Sequence, residues 1–159
     1  ALVSAAARGV DVRVLVPARS DVAIVAPAAR SYYPALVHAD VRIFEYTRNP
    51  LHAKSMVVDG SWGIVGSANA DIRSFRLNFE LGALVVDEAF ARNLEERFFR
   101  DLLHSTEVQI TENGPQLTHP PAGYRTYRYT HLKPKASPYQ PFSNSPLLFC
   151  GENRVPYPC

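Results

Sequence analysis

Methionine and tryptophan occur once each in this 159-residue chain and cysteine only twice, and no apolar run approaches the length of a bilayer span. A spanning helix needs about 20 consecutive apolar residues, so none is expected. The N-terminal stretch ALVSAAARG lacks the charged segment and apolar core of an export signal. It also begins with Ala1 in what reads as mid-helix, so a piece of a longer protein is expected, whose remainder would carry any targeting signal or anchor. Cys150 and Cys159 do not define an oxidising compartment, and no Cys/His cluster has zinc-site spacing. Internal repeats are lacking too, as is a strong excess of either charge: the net value is +2.

That near-balance conceals a split. Residues 1–114 hold 12 Lys/Arg against 14 Asp/Glu, whereas residues 115–159 hold five against one, together with nine of the 13 prolines. An acidic body argues against unsteered binding of a nucleic-acid backbone. The proline-dense tail has no sustained periodicity, so one domain over residues 1–110 and a disordered tail over 111–159 are expected.

Within the body, residues 1–8 read as the end of a helix closed by Gly9, and VDVRVLV (10–16) alternates as a strand does. Helical turns are expected over 21–29 and 31–38, strands over 41–46, 52–58, 62–65 and 79–86, and an amphipathic helix over 88–103. The fold class is α/β, a mixed β-sheet flanked by helices.

The chemistry concentrates in LHAKSMVVDGSWGIVGSAN, residues 51–69. On a strand, His52 and Lys54 share one face about 7 Å apart, from a rise of ~3.3 Å per residue, and can reach one anion together. A hairpin across Asp59-Gly60 would bring Gly66, Ser67 and Asn69 back to that end. Gly66 admits close backbone approach, Ser67 and Asn69 offer hydrogen bonds, and Lys54 supplies positive charge, a combination suited to phosphate oxygens. Imidazole is a nucleophile at phosphorus and a proton donor near neutrality, so His52 would do the chemistry with no metal and no cofactor. A Ser67/His52/Asp59 hydrolase triad has the right residue types, but Ser67 lacks a nucleophile-elbow context. His38, His104, His119 and His131 have no comparable surroundings. Asp71, Arg73 and Ser74 read equally as substrate contacts or as turn-capping and salt-bridge residues.

His52-x-Lys54-x4-Asp59 followed by Gly66-Ser67-x-Asn69 resembles the HKD signature of the phospholipase D superfamily. The flanks GVDVRVLVP, SYYPALVHADVRIFEY and GSANADIRSFRLNFEL look most like the C-terminal catalytic half of bacterial cardiolipin synthases. That resemblance implies catalytic roles for His52, Lys54, Ser67 and Asn69, with Glu80 bonded to the far side of the histidine ring and Asp59 architectural. It implies a phosphatidyltransferase that joins two phosphatidylglycerol molecules into cardiolipin through a phosphohistidine, at a membrane surface with the site on the cytoplasmic side. Family enzymes use two facing HKD motifs and this chain has one, so the second is expected from a missing N-terminal half or a homodimer partner. A phosphodiesterase or nuclease of the same superfamily, or an inactive truncated half, are the alternatives.

Overall fold

The computed structural model describes residues 1–20, 25–48, 51–111, 114–118 and 147–150. In chain order these form α1 (Leu2–Ala7), β1 (Val12–Pro17), α2 (Val25–Arg30), α3 (Tyr33–Val37), β2 (Arg42–Tyr46), β3 (Ser55–Val58), β4 (Trp62–Gly66), α4 (Ile72–Arg76), β5 (Gly82–Val85), α5 (Glu88–Leu102), β6 (Ser105–Thr111), β7 (Gly114–Thr118) and β8 (Leu147–Cys150). The strands make one mixed sheet in the order β5-β4-β3-β8-β1-β2-β6-β7. β1 runs parallel to β2 and to β8, and the other pairings are antiparallel.

The period-2 alternation in β1 and β2 sorts their side chains onto two faces. On one, Val12, Val14, Val16, Val41 and Ile43 pack with Ala6 of α1 and Tyr33 of α3. On the other, Leu15, Phe44 and Val57 pack with Ala91, Phe98 and Leu102 of α5. Helix α5 forms where an apolar stripe at helical spacing follows an N-cap, the Asp87 carboxylate accepting from the amide of Phe90. Pro34 opens α3, where its missing amide proton is no loss. Gly9 closes α1 with φ 86°, a left-handed conformation that glycine adopts without strain.

The mixed, helix-flanked sheet agrees with the expected fold class, with three local differences. β3 starts at Ser55 rather than His52, and β5 is confined to Gly82–Val85 within the expected 79–86. Two strands, β7 and β8, lie beyond residue 111. The remainder of the expected tail, 112–113, 119–146 and 151–159, lies outside the described residues, as do 21–24 at the head of the first expected helical turn.

One polar cluster is built into this frame. Glu45 on β2, 1% exposed, accepts two hydrogen bonds from the Arg30 guanidinium (2.8 and 2.9 Å) and one from the Tyr33 hydroxyl (3.0 Å). Burial, reinforced by the Glu45 charge, pushes the Tyr33 phenol well above its ordinary value, while the Glu45 hydrogen bond raises Arg30.

Since β3 is antiparallel to β8 and β8 parallel to β1, the head of β3 comes level with the C-terminal end of β1. That is the side on which crevices of open α/β sheets bind ligands.

Candidate functional site

His52 and Lys54 occupy the extended lead into β3. The amide of Gly66 donates to the Lys54 carbonyl at 2.9 Å, one bond beyond the β3–β4 ladder, which sets the end of β4 flush against Lys54. The Lys54 ammonium donates to the His52 carbonyl at 2.9 Å and to its Nδ1 at 3.2 Å. An ammonium has only protons to give, so Nδ1 is the acceptor and, in the neutral ring, Nε2 carries the proton.

Gly66 is required by packing. A Cβ there would stand 2.5 Å from the Leu81 carbonyl oxygen and 3.1 Å from the Gly82 Cα, both backbone atoms of the neighbouring chain. That close approach lets the amide of Ser67 donate to the Leu81 carbonyl (2.9 Å), while the Ser67 hydroxyl accepts from the Leu81 amide (3.0 Å). The same hydroxyl donates to Glu80 Oε2 at 2.5 Å. Asn78 Nδ2 donates to Glu80 Oε1 at 3.2 Å. Hydrogen bonds from Ser67, then Ser74 and Asn78, with a smaller contribution from the Lys54 charge, hold the Glu80 carboxyl below its ordinary value. Glu80 is therefore an anion at neutral pH, and its hydrogen bonds come from Ser67, Ser74 and Asn78, whereas the resemblance implies one to the His52 ring.

Asn69 is fixed through its backbone, its amide donating to Ser74 Oγ at 3.1 Å. Ser74 is in turn held by Asp71, which caps α4 by accepting from the Ser74 amide at 2.7 Å. The side-chain Oδ1 of Asn69 is buried with no hydrogen-bond partner among the described residues. An amide oxygen only accepts, so its open lone pairs suit a hydroxyl or N–H donor and not a phosphate oxygen, which is itself an acceptor.

The structure thus brings His52, Lys54, Gly66, Ser67, Asn69 and Glu80 to one end of the β3–β4–β5 ribbon. Asp59 is not among them. It sits at the other end of β3, about 13 Å of strand away by a rise of ~3.3 Å per residue, in the turn to β4. Asp59 and Gly60 have φ of 55° and 58°, and the amide of Ser61 closes the turn on the Val58 carbonyl. Asp tolerates that left-handed backbone better than most residues. The hairpin was legible in Asp59-Gly60, and the turn is what the aspartate contributes. Asn78 as a Glu80 partner went unread, although Asn78-x-Glu80 puts both side chains on one side of an extended segment. Ser74 resolves toward structure, joining the cap to Asn69. Among the described residues no three His, Cys, Asp or Glu side chains group as metal ligands.

A protein-family model described as "Cardiolipin synthase, PLD-like domain" matches residues 1–102. The chain belongs to this PLD-like family. It is 48% identical over 113 residues to cardiolipin synthase A of Pseudomonas fluorescens, covering 71% of this chain and 24% of the relative. To the cardiolipin synthase of Halalkalibacterium halodurans it is 43% identical over 112 residues, 70% of this chain and 22% of the relative. Cardiolipin synthase 2 of Bacillus anthracis matches at 41% over 128 residues, 80% and 25%. The chain therefore spans about a quarter of the length of the PLD-like relatives it matches. No solved structure matches it. The matched span of the PLD-like model contains every site residue above and ends with α5.

Proposed function

We propose that this chain supplies one of two HKD half-sites of a phosphatidyltransferase that makes cardiolipin from two phosphatidylglycerol molecules at a membrane surface, on the cytoplasmic side. The observation that carries the reading is the packing of Lys54, Gly66 and Ser67 against one another beside His52. In the proposed reaction, the histidine of the second motif attacks the phosphorus of the first phosphatidylglycerol. A P–N bond forms, the P–O bond to glycerol breaks, and His52 delivers a proton to the departing glycerol oxygen. His52 then takes the proton from a headgroup hydroxyl of the second phosphatidylglycerol, whose oxygen displaces the phosphohistidine. Shuttling protons through Nε2 requires Nδ1 to carry its own proton. Lys54 must therefore leave Nδ1 for the phosphate oxygens when substrate binds, adding charge where it develops.

The need for a second half-site is supported by the surface beside the first. Phe79 and Leu81, flanking Glu80, are exposed, as are Leu84 and Val86 along β5 and Ile72, Phe75 and Leu77 around α4. β5 is also an edge strand, with an unpaired backbone row. A contiguous apolar face at a site lacking one catalytic group fits the docking of a second lobe.

The test is a radiolabelled-phosphatidylglycerol assay on chains assembled with a second HKD motif. Glycerol release and cardiolipin formation are expected, lost on His52→Ala and lowered about 10²-fold or more by Lys54→Ala, the magnitude usual for a removed charge clamp. Retention of full activity by His52→Ala overturns the proposal.

A further inference from the structure

β8 is out of place in the chain order. Like β6 beside β2, β8 is brought in from far along the chain, and it alone enters the middle of the described sheet, between β1 and β3. It pairs with β1 from Val12↔Leu147 to Leu15↔Cys150 and with β3 from Val58↔Leu147 to Ser55↔Cys150. Among the described residues, β8 is the one strand partner of the β5-β4-β3 ribbon that bears the site. Without β8 the sheet falls into two ribbons, joined through helix packing and the connecting chain, and the facing edges of β1 and β3 lose their ladder hydrogen bonds. Those edges are core: Val12, Arg13, Leu15 and Val57 are each at most 2% exposed, where unmet backbone groups are costly.

We propose that the gap between β1 and β3 is a strand-accepting groove and that Leu147–Cys150, sequence LLFC, is its occupant in cis, locking the site-bearing ribbon to the rest of the sheet. The groove takes an extended apolar segment, parallel to β1 and antiparallel to β3, the β-augmentation mode applied to two edges at once. The geometry also defines a competitor. α1 lies on the same face as α3, which makes the β1-to-β2 crossover. A strand leading into α1 would then reach this same groove by a right-handed connection. Only one segment can occupy the groove, so the C-terminal strand and any such segment exclude each other.

The register supplies the test. Ser55 and Cys150 are direct antiparallel partners, which places their Cα atoms about 4.5–5.5 Å apart, within the disulfide range. In the full chain carrying Ser55→Cys and Cys159→Ser, mild oxidation should yield an intramolecular 55–150 disulfide, read by peptide mass. The yield should be at least tenfold above that of Leu84→Cys with Cys159→Ser, whose thiol lies on the far edge strand. Equal yields overturn the proposal. Independently, Leu148→Pro removes a ladder donor and should speed amide exchange across Val12–Leu15 and Ser55–Val58 about tenfold or more, leaving β6 unchanged. A synthetic peptide of residues 145–152 should restore protection to that variant. Unchanged exchange in Leu148→Pro overturns the assignment of LLFC as occupant, and slow exchange in both ribbons with no 55–150 crosslink identifies a different segment in the groove.

Discussion

Two single residues set the geometry of the site more than their chemistry suggests. Gly66 has no room for a methyl group, because the atoms in the way are backbone of the next chain segment. Gly66→Ala should therefore cost about 1–3 kcal/mol in denaturant unfolding, as overpacking does, and loosen the Ser67–Leu81 bonds. Ser67, in turn, is the largest cause of the depressed Glu80 carboxyl. A depressed folded-state pKa stabilises above the unfolded carboxylate value, and that contribution is lost as pH falls through the folded one. Ser67→Ala should then raise the Glu80 pKa toward its ordinary value, seen in a carboxyl-carbon NMR titration. The stability gap between the two proteins should be widest at neutral pH and close on acidification below about pH 4. A Glu80 titration that stays put in Ser67→Ala would refute the assignment.

Among elements, the sheet is held by apolar contacts on both faces and by polar junctions, of which the one at Glu45 has the most buried carboxylate of the described residues. Glu45 joins β2 to α2 through Arg30 and to α3 through Tyr33. Glu45→Ala should destabilise by about 1–3 kcal/mol, since it leaves the buried Tyr33 phenol without its acceptor while the Arg30 guanidinium, 41% exposed, stays partly hydrated, whereas Arg30→Lys should cost less by keeping one charge-assisted bond. Chemical denaturation monitored by circular dichroism measures both. The strands that carry the junction were legible in sequence because alternation is a local property. Glu45 itself was not, because an acid in VRIFEY looks the same whether it meets solvent or a guanidinium fifteen residues away.

On the scale of the whole molecule, the exposed apolar face around β5 governs behaviour in solution. Leu84→Lys combined with Phe79→Ser should reduce self-association of the isolated chain, measured by light scattering, while leaving its circular dichroism unchanged. In assembly with a second HKD motif, the same pair of substitutions should lower activity by weakening docking, although neither residue touches the phosphate-suited cluster. No described helix is long and apolar enough to cross a membrane.

Local pattern alone is enough for the α/β class, the hairpin at Asp59-Gly60 and the return of Gly66 and Ser67 toward Lys54. All of these follow from period-2 alternation, turn chemistry and spacing along one ribbon, which act over a few residues. That Glu80 is held by Ser67, Ser74 and Asn78 depends on tertiary contact, because the close passage of Leu81 past Gly66 sets which groups Glu80 meets. Tertiary structure also decided that Leu147–Cys150 enters the sheet centre. Four apolar residues behind a proline-rich stretch carry no periodic signal, and their place depends on two strand edges far away in sequence, β1 and β3, being left open toward each other.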